Sequence, residues 1–242
     1  MPTDVDAAAL DRLLELQGED SAIKRLRERR ASLPEAARLA DVNAALAELD
    51  ADLGIARAQR DDAARDQSRL EGEVDLLEQK IGREEGRLFA GSVSNPKELG
   101  ALQAEVEMLK RRKSGLEDDL LEVMERREQA VATVERLEAE RATTSAEAES
   151  LTATVGQLTA EIDEELRLHA GARDRIAATL PESLLTLYDR LREQKGGVGA
   201  AELVGGMCEG CHTRLPAREV ERLRAQRGLQ RCDNCRRILV VT

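Results

Sequence analysis

The four cysteines are the residues whose spacing most clearly indicates chemistry. They form two Cys-x2-Cys pairs, Cys208 with Cys211 and Cys232 with Cys235, and 20 residues separate the pairs. This spacing is typical of a structural zinc site in which two turns supply two thiolates each. Because four thiolates fill the tetrahedral coordination of Zn²⁺, we predict one structural zinc ion and assign it no catalytic role.

Two other interpretations of the cysteines are a redox dithiol and a pair of disulfides. A redox dithiol calls for a thioredoxin-like βαβ context, which the sequence lacks. Disulfides are disfavoured in the cytosol, where we place the protein because its first residues are acidic and no uncharged stretch is long enough for a membrane span. His212 follows Cys211 directly, but with four thiols at suitable spacing we interpret it as a neighbouring surface residue.

The composition indicates which elements must position these cysteines. The 242 residues include one Phe, one Tyr and no Trp, whereas 35% are charged. This profile is typical of long helices or coiled coils, and it disfavours an all-β domain or a Rossmann enzyme. The sequence also contains no nucleophile paired with a base, Gly-rich phosphate loop or open metal site, so we predict that the protein is not an enzyme.

Two long series of apolar residues, at 42–88 and 99–162, recur at alternating steps of four and three. A sustained seven-residue repeat predicts helices that supercoil around each other. Between the series, Gly91 permits a reversal of the chain, Asn95 is a suitable N-cap and Pro96 suits a first helical position. We therefore predict an antiparallel hairpin in which residue i faces roughly residue 185 minus i.

The predicted fold is mainly α, a long antiparallel coiled-coil hairpin with a small C-terminal β zinc ribbon. The predicted domains are the hairpin at 1–180, with a kink near 32–35 and its tip at 89–96, a short helix and linker at 181–199, and the C4 zinc ribbon at 200–242. Ser32 as a candidate N-cap, followed by Pro34, predicts the kink. Within the ribbon we expect short strands at 200–204 and 238–241, with a loop or short helix at 215–227.

Charge separates the two modules. Residues 203–242 carry a formal +4, which leaves −15 for the remaining 202 residues of a chain whose net charge is −11. Arginine suits bidentate contacts to phosphate, so the ribbon arginines are candidate nucleic-acid ligands. They are Arg214, Arg218, Arg222, Arg224, Arg227, Arg231, Arg236 and Arg237. Against this interpretation, zinc with four thiolates contributes about −2, and no aromatic residue lies nearby to stack on bases.

The sequence resembles a bacterial family of C4-type zinc-ribbon proteins with a long coiled-coil hairpin. The resemblance rests on the tip Phe89-Ala90-Gly91-Ser92-Val93-Ser94-Asn95-Pro96-Lys97-Glu98-Leu99, on Leu180-Pro181 through Arg192, on Gly205 through His212 and on Cys232 through Leu239. Two positions differ from the family pattern: Arg236 stands where a glycine is usual, and Val240 where an aromatic is usual. The first difference is expected to strain the second zinc turn.

The resemblance implies a non-enzymatic protein that engages macromolecules, with members linked to RNA binding and to transcription or secretion machinery. The distinctive tip makes Phe89, Asn95, Pro96, Lys97 and Glu98 candidates for contact with a protein partner. A well-capped turn with Phe89 covering the hairpin end is an equally good interpretation. Two functions remain open: a regulatory nucleic-acid binder that uses the ribbon, and a protein adaptor or chaperone that uses the hairpin and its tip. Neither calls for a membrane or a small-molecule substrate.

Overall fold

The computed structural model describes residues 5–91, 95–226 and 228–241. The predicted tip residues 92–94 and the candidate ligand Arg227 lie outside this part of the chain. The elements in chain order are α1 (Ala7–Ala31), α2 (Pro34–Phe89), α3 (Pro96–Ala177), α4 (Glu182–Gln194), β1 (Ala200–Val204), β2 (Met207–Cys208), β3 (Thr213–Arg214), α5 (Ala217–Ala225), β4 (Gln230–Arg231) and β5 (Ile238–Val240). No helix among the described residues is long and apolar enough to cross a membrane.

The chain falls into two compact units, one made of residues 1–37 and 151–242 and the other of residues 38–150. The unit boundaries therefore divide both α2 and α3, whereas the predicted domain boundary lies at residue 180. The second unit consists of α2 from residue 38 onward, paired with α3 up to residue 150. Its ion pairs join Arg57 to Glu138 and Lys80 to Glu105, so the two helices run antiparallel.

The predicted seam coincides with the buried face of the long helices. Every buried apolar residue that the structure describes between 42 and 162 occupies a position of the two predicted series, as Leu53 and Val134 illustrate. The pairing differs from the predicted register by about six residues. Arg141 pairs with Asp50 and Lys113 with Glu78, which corresponds to a partner near residue 191 minus i.

The helix break lies between Ala31 and Pro34, but Ser32 has a different role from the predicted one. Its hydroxyl donates a 2.9 Å hydrogen bond back to the Glu28 carbonyl, so Ser32 caps the C-terminus of α1. The carbonyl of buried Leu33 then accepts from Ala37, in the first turn of α2. The break is therefore made by a C-cap followed by Pro34, which suits the start of a helix.

The first unit has a core shared by helices and ribbon. Leu13 and Leu16 of α1, Leu184 and Tyr188 of α4, and Ile238 of β5 are at most 1% exposed and lie in one apolar cluster. The ribbon sheet has the strand order β3-β2-β1-β5-β4, with β1 and β5 parallel and the other neighbours antiparallel. A second cluster around Leu203, Leu223 and Leu239 lies inside the ribbon itself.

Candidate metal centre and arginine surface

Each Cys-x2-Cys pair lies on a tight backbone turn of the same design. The His212 amide donates to the Cys208 carbonyl at 2.7 Å, and the Arg236 amide donates to the Cys232 carbonyl at 2.8 Å. The residue that closes each turn has a left-handed backbone, with φ of 53° at His212 and 66° at Arg236. Arg236 therefore preserves the turn, at the backbone cost of about 1 kcal/mol that a residue with a Cβ carries at positive φ.

The four sulfur atoms have the spacing that tetrahedral zinc requires. The Sγ atoms of Cys208 and Cys235 are 3.9 Å apart, as are those of Cys211 and Cys232. All four lie within 4.8 Å of one another. Zn–S bonds of about 2.3 Å at tetrahedral angles place two ligand sulfurs about 3.8 Å apart. The residues therefore fit one structural Zn²⁺ ion.

The protein environment differs among the thiols. Cys208 is fully buried, and in the metal-free site this burial raises the pKa of its thiol to about 12. Burial also acts to raise the pKa of Cys211, but hydrogen bonds from Thr213 and Asn234 outweigh it and lower the value to about 6. Zinc bound at this site takes the place of the thiol protons, so the metal holds Cys208 as a thiolate.

The metal site is closed within the described chain. Cys208 and Cys232 have no exposed surface, whereas Cys211 and Cys235 are half-buried. His212 is exposed, and the ligand cluster contains only the four cysteines. With four thiolates bound, no coordination position remains for a substrate or an activated water molecule. The site can organise the ribbon, and it has the geometry of a structural centre.

The linker at 195–199 is held against α1 by specific hydrogen bonds. Gln17, which is 7% exposed, accepts from the amides of Gly199 and Ala200 at 2.7 and 3.3 Å and donates to the Gly197 carbonyl. Lys24 donates to the Gly196 carbonyl at 2.7 Å. These contacts, together with the shared core, fix the ribbon against α1.

A buried ionic cluster lies beside the linker. The Asp20 side chain is 4% exposed and accepts a 2.7 Å hydrogen bond from the Tyr188 hydroxyl. Arg173 and Arg192 reach the same carboxylate at 3.3 and 3.5 Å. Burial and this carboxylate raise the pKa of Tyr188 well above its ordinary range. Gln17 and Asp20 were not among the predicted functional residues, although each is a polar residue at a buried, otherwise apolar position of α1.

The structure separates the seven candidate arginines that it describes by environment. Arg237 is half-buried and donates to the carbonyls of Val198 and Lys195, both at 2.9 Å, so its guanidinium has a structural role in the linker. Arg231 is also half-buried. The remaining described members of the set are exposed, namely Arg214, Arg218, Arg222, Arg224 and Arg236.

Two of the exposed arginines are engaged with an acid of the ribbon. Arg222 pairs with Asp233 at 2.8 Å, and Arg236 approaches the same carboxylate at 3.9 Å. In the part of the chain that the structure describes, Arg214, Arg218 and Arg224 have no ion-pair partner. These three residues lie at the end of β3 and on α5, the element between the two zinc turns that the sequence left open as a loop or helix.

The tip residues lie at the facing ends of α2 and α3. Asn95 caps α3, since its side-chain oxygen accepts from the Lys97 amide at 3.0 Å, and Pro96 begins the helix. Lys97 and Glu98 belong to its first, exposed turn. Phe89 ends α2 and is 82% exposed, so it does not cover the hairpin end as one interpretation of the sequence proposed.

Comparison with known proteins identifies both modules. Residues 16–196 match the model of the CT398-like coiled coil hairpin domain, and residues 207–239 match the C4-type zinc ribbon domain. A Mycobacterium tuberculosis protein described only as uncharacterized is 35% identical over 234 residues, which cover 94% of this chain and 93% of the relative.

Two solved structures share the fold across nearly the whole chain. One, from Mycobacterium smegmatis, has a TM-score of 0.85 and 27% identity, with coverage of 98% of this chain and 99% of the other. The structure of CT398 from Chlamydia trachomatis has a TM-score of 0.72 and 20% identity, with coverage of 97% and 98%, and supports the fold alone. The chain belongs to the CT398-like coiled-coil hairpin family and carries a C-terminal C4-type zinc ribbon.

Proposed function

We propose that this protein is a non-enzymatic, regulatory nucleic-acid-binding protein whose zinc ribbon contacts the sugar–phosphate backbone. The observation that carries the proposal is the set of three exposed arginines without an acidic partner in the described chain, Arg214, Arg218 and Arg224. A guanidinium can donate two parallel hydrogen bonds to one phosphate. Zinc and the sheet hold the backbone that carries these arginines, so little ordering cost accompanies binding.

The composition favours contact with the backbone over recognition of bases by stacking. The ribbon at 200–242 contains no Phe, Tyr or Trp, and Tyr188 beside it is fully buried with its hydroxyl on Asp20. Proteins that bind unpaired bases commonly stack them on exposed aromatic rings. Contacts to phosphate orient a protein on nucleic acid and carry no sequence information by themselves. A cytosolic location, which the cluster of four thiols favours, would bring the ribbon into contact with nucleic acid.

The proposal predicts binding that weakens steeply with salt, because arginine contacts release counterions from the nucleic acid. The test is fluorescence anisotropy of a labelled DNA duplex of about 16 base pairs with the zinc-loaded full chain. The ribbon variant replaces Arg214, Arg218 and Arg224 with alanine. The matched control replaces three exposed helix arginines that already have acidic partners, namely Arg69, Arg136 and Arg167.

We expect the ribbon variant to bind about tenfold or more weakly in 0.1 M salt, whereas the control variant retains the native affinity. Retained zinc and an unchanged circular dichroism spectrum show that the variant is folded. Equal affinities of the ribbon variant and the native protein would refute the role of these arginines.

A protein adaptor or chaperone that uses the hairpin tip is the second candidate, and the 82% exposure of Phe89 favours it. An exposed aromatic ring is a common anchor at protein interfaces. The test places a photoreactive phenylalanine at position 89 and, as a control, at the exposed position Leu76. One discrete crosslinked partner at position 89, lost when Lys97 and Glu98 become alanine, would support the adaptor. The same products at both positions would refute it.

A further inference from the structure

The second half of α1 carries a dense basic patch, which we define as Lys24, Arg25, Arg27, Arg29 and Arg30. All five side chains are exposed. Five cations against Glu28 give residues 24–30 a formal charge of +4, which equals the charge of the whole 203–242 segment. The hairpin is acidic overall, but it therefore contains a second basic region in α1.

Intramolecular contacts use only part of this patch. Arg30 pairs with Asp163 at 3.1 Å, and Lys24 holds the linker carbonyl of Gly196. Within the described residues, Arg25, Arg27 and Arg29 have no ion-pair partner. Of the acids on the facing segment of α3, Asp163 pairs with Arg30 of the patch and Glu164 with Arg167.

The helix dipole does not account for the patch. Cations favour the last turn of a helix, where they offset the partial negative charge of its C-terminus. Arg29 and Arg30 occupy that last turn of α1, but Arg25 and Arg27 precede it. Packing does not account for them either, because Ile23 and Leu26 provide the buried contacts of this segment.

The fold presents the patch on a rigid scaffold. Ile23 and Leu26 are each 8% exposed, so they anchor the helix segment that carries the arginines. Arg25 and Arg29 are four residues apart and therefore share a face, with an axial separation of about 6 Å. Arg27 is two residues from each and therefore lies on the other side of the helix. Repeated, fixed positive charges of this kind match an anion whose charges also repeat at short intervals.

We propose that the face of the basic patch that carries Arg25 and Arg29 is a second contact site for the backbone of double-stranded nucleic acid. This inference rests on the proposed function. A duplex presents one negative charge per about 1.7 Å of its axis, without interruption. The acidic hairpin of a second copy is a poorer match, because its carboxylates alternate with arginines in pairs such as Arg69–Glu73 and Arg136–Glu140.

A duplex is favoured over a single strand because the patch includes no aromatic side chain on which an unpaired base could stack. Double-stranded RNA, by contrast, is recognised through its backbone and shape. The patch also begins where the ribbon linker is attached. Gln17 contacts Gly199 at 2.7 Å, and Arg29 lies twelve residues further along α1, or about 18 Å. That distance corresponds to roughly five base pairs at 3.4 Å each.

The experiment compares salt titrations of duplex binding for four forms of the full zinc-loaded chain. They are the native protein, the patch variant with Arg25 and Arg29 replaced by alanine, the ribbon variant and the paired-arginine control. Alanine favours helix, so the patch variant is expected to fold, and circular dichroism with zinc content checks this. The probes are a labelled duplex of about 16 base pairs and a single strand of the same length.

We expect the patch variant to bind the duplex about 10- to 100-fold more weakly in 0.1 M salt. Its plot of log K against log salt should be shallower by about 2, because each lost phosphate contact removes about 0.9 from the slope. The control variant should keep both the native affinity and the native slope.

Several results would overturn the inference, and they are distinguishable from failure of the proposed function. If the patch variant binds the duplex with native affinity and the ribbon variant binds it more weakly, the contact site on α1 is refuted and the ribbon contact is supported. The reverse would support the patch and refute the ribbon arginines. No duplex binding by the native protein would refute both. Equal binding of the single strand would refute the duplex assignment. Self-association that only the patch variant loses, with unchanged duplex binding, would make a second copy the partner.

Discussion

Replacement of Gln17 by leucine should selectively destabilise the unit that contains the ribbon. The Gln17 side chain is buried and provides the acceptor for two backbone amides of the linker, those of Gly199 and Ala200. Leucine has a similar volume but no acceptor. The substitution therefore tests whether the linker is held by hydrogen bonds or merely tethers the ribbon to the helices.

The magnitude follows from the two amides that lose their partner. A buried donor without an acceptor costs roughly 1 to 3 kcal/mol, so two cost about 2 to 6 kcal/mol. Burial of the leucine side chain offsets about 1 to 2 kcal/mol of this cost. We therefore expect the free energy of unfolding of this unit to fall by about 1 to 4 kcal/mol. With a urea dependence of about 2 kcal/mol per molar, the midpoint shifts down by about 0.5 to 2 M.

The single tyrosine provides an assay for this unit alone. Tyr188 is fully buried in the core that α1, α4 and the ribbon share, and the chain has no tryptophan. Its fluorescence during urea unfolding of the zinc-loaded chain reports on that core. Ser21→Ala is the matched control, since it removes only the 2.9 Å hydrogen bond between Gln17 and the Ser21 hydroxyl. A Gln17→Leu midpoint no lower than that of Ser21→Ala would refute the reasoning.

Three further predictions concern the zinc turns, the linker and tyrosine ionisation. Arg236→Gly should raise the free energy of unfolding by about 0.5 to 1 kcal/mol, since glycine adopts a φ of 66° freely; an unchanged or lower urea midpoint would contradict this. Arg237→Ala should lower the free energy of unfolding by about 1 to 3 kcal/mol, because the guanidinium donates hydrogen bonds to the linker carbonyls. The folded variant should retain the native affinity for the duplex. Weaker duplex binding by the folded variant would make Arg237 a ligand. The raised pKa of Tyr188 contributes stability that is fully present below the unfolded value of about 10 and is lost as the pH rises above it. Absorbance at 295 nm should therefore show no tyrosinate near pH 10.5 until the protein unfolds. Reversible ionisation near pH 10 in the folded protein would contradict this.

The sequence pattern predicted the elements that form through interactions between residues close together in the chain. The seven-residue repeat identified the buried positions of α2 and α3, because burial along a paired helix follows the helical period. The spacing of the cysteines predicted their convergence, since each pair lies on one short turn. The position of the helix break was also predictable from Pro34, although the hydroxyl of Ser32 bonds to the preceding helix instead of the following one.

Features that depend on distant contacts could not be predicted in the same way. The register of the hairpin follows from which seam layers interdigitate, whereas the predicted value assumed a symmetric turn at the tip. The attachment of the ribbon depends on Gln17 and Gly199, which are 182 residues apart in the chain. The role of Arg237 depends on its contacts with Val198 and Lys195, so its charge alone suggested a nucleic-acid ligand. Net charge summed over whole modules likewise concealed the basic patch of α1.

A salt titration of the native chain tests most directly whether the arginines that have no ion-pair partner among the described residues bind a nucleic-acid backbone. Binding of a duplex of about 16 base pairs is measured by anisotropy between 50 and 200 mM salt. If the three ribbon arginines and Arg25 and Arg29 of the patch each contact a phosphate, log K falls linearly with log salt with a slope of about −4.5. A slope shallower than about −1, or no binding at 50 mM salt, would contradict the claim.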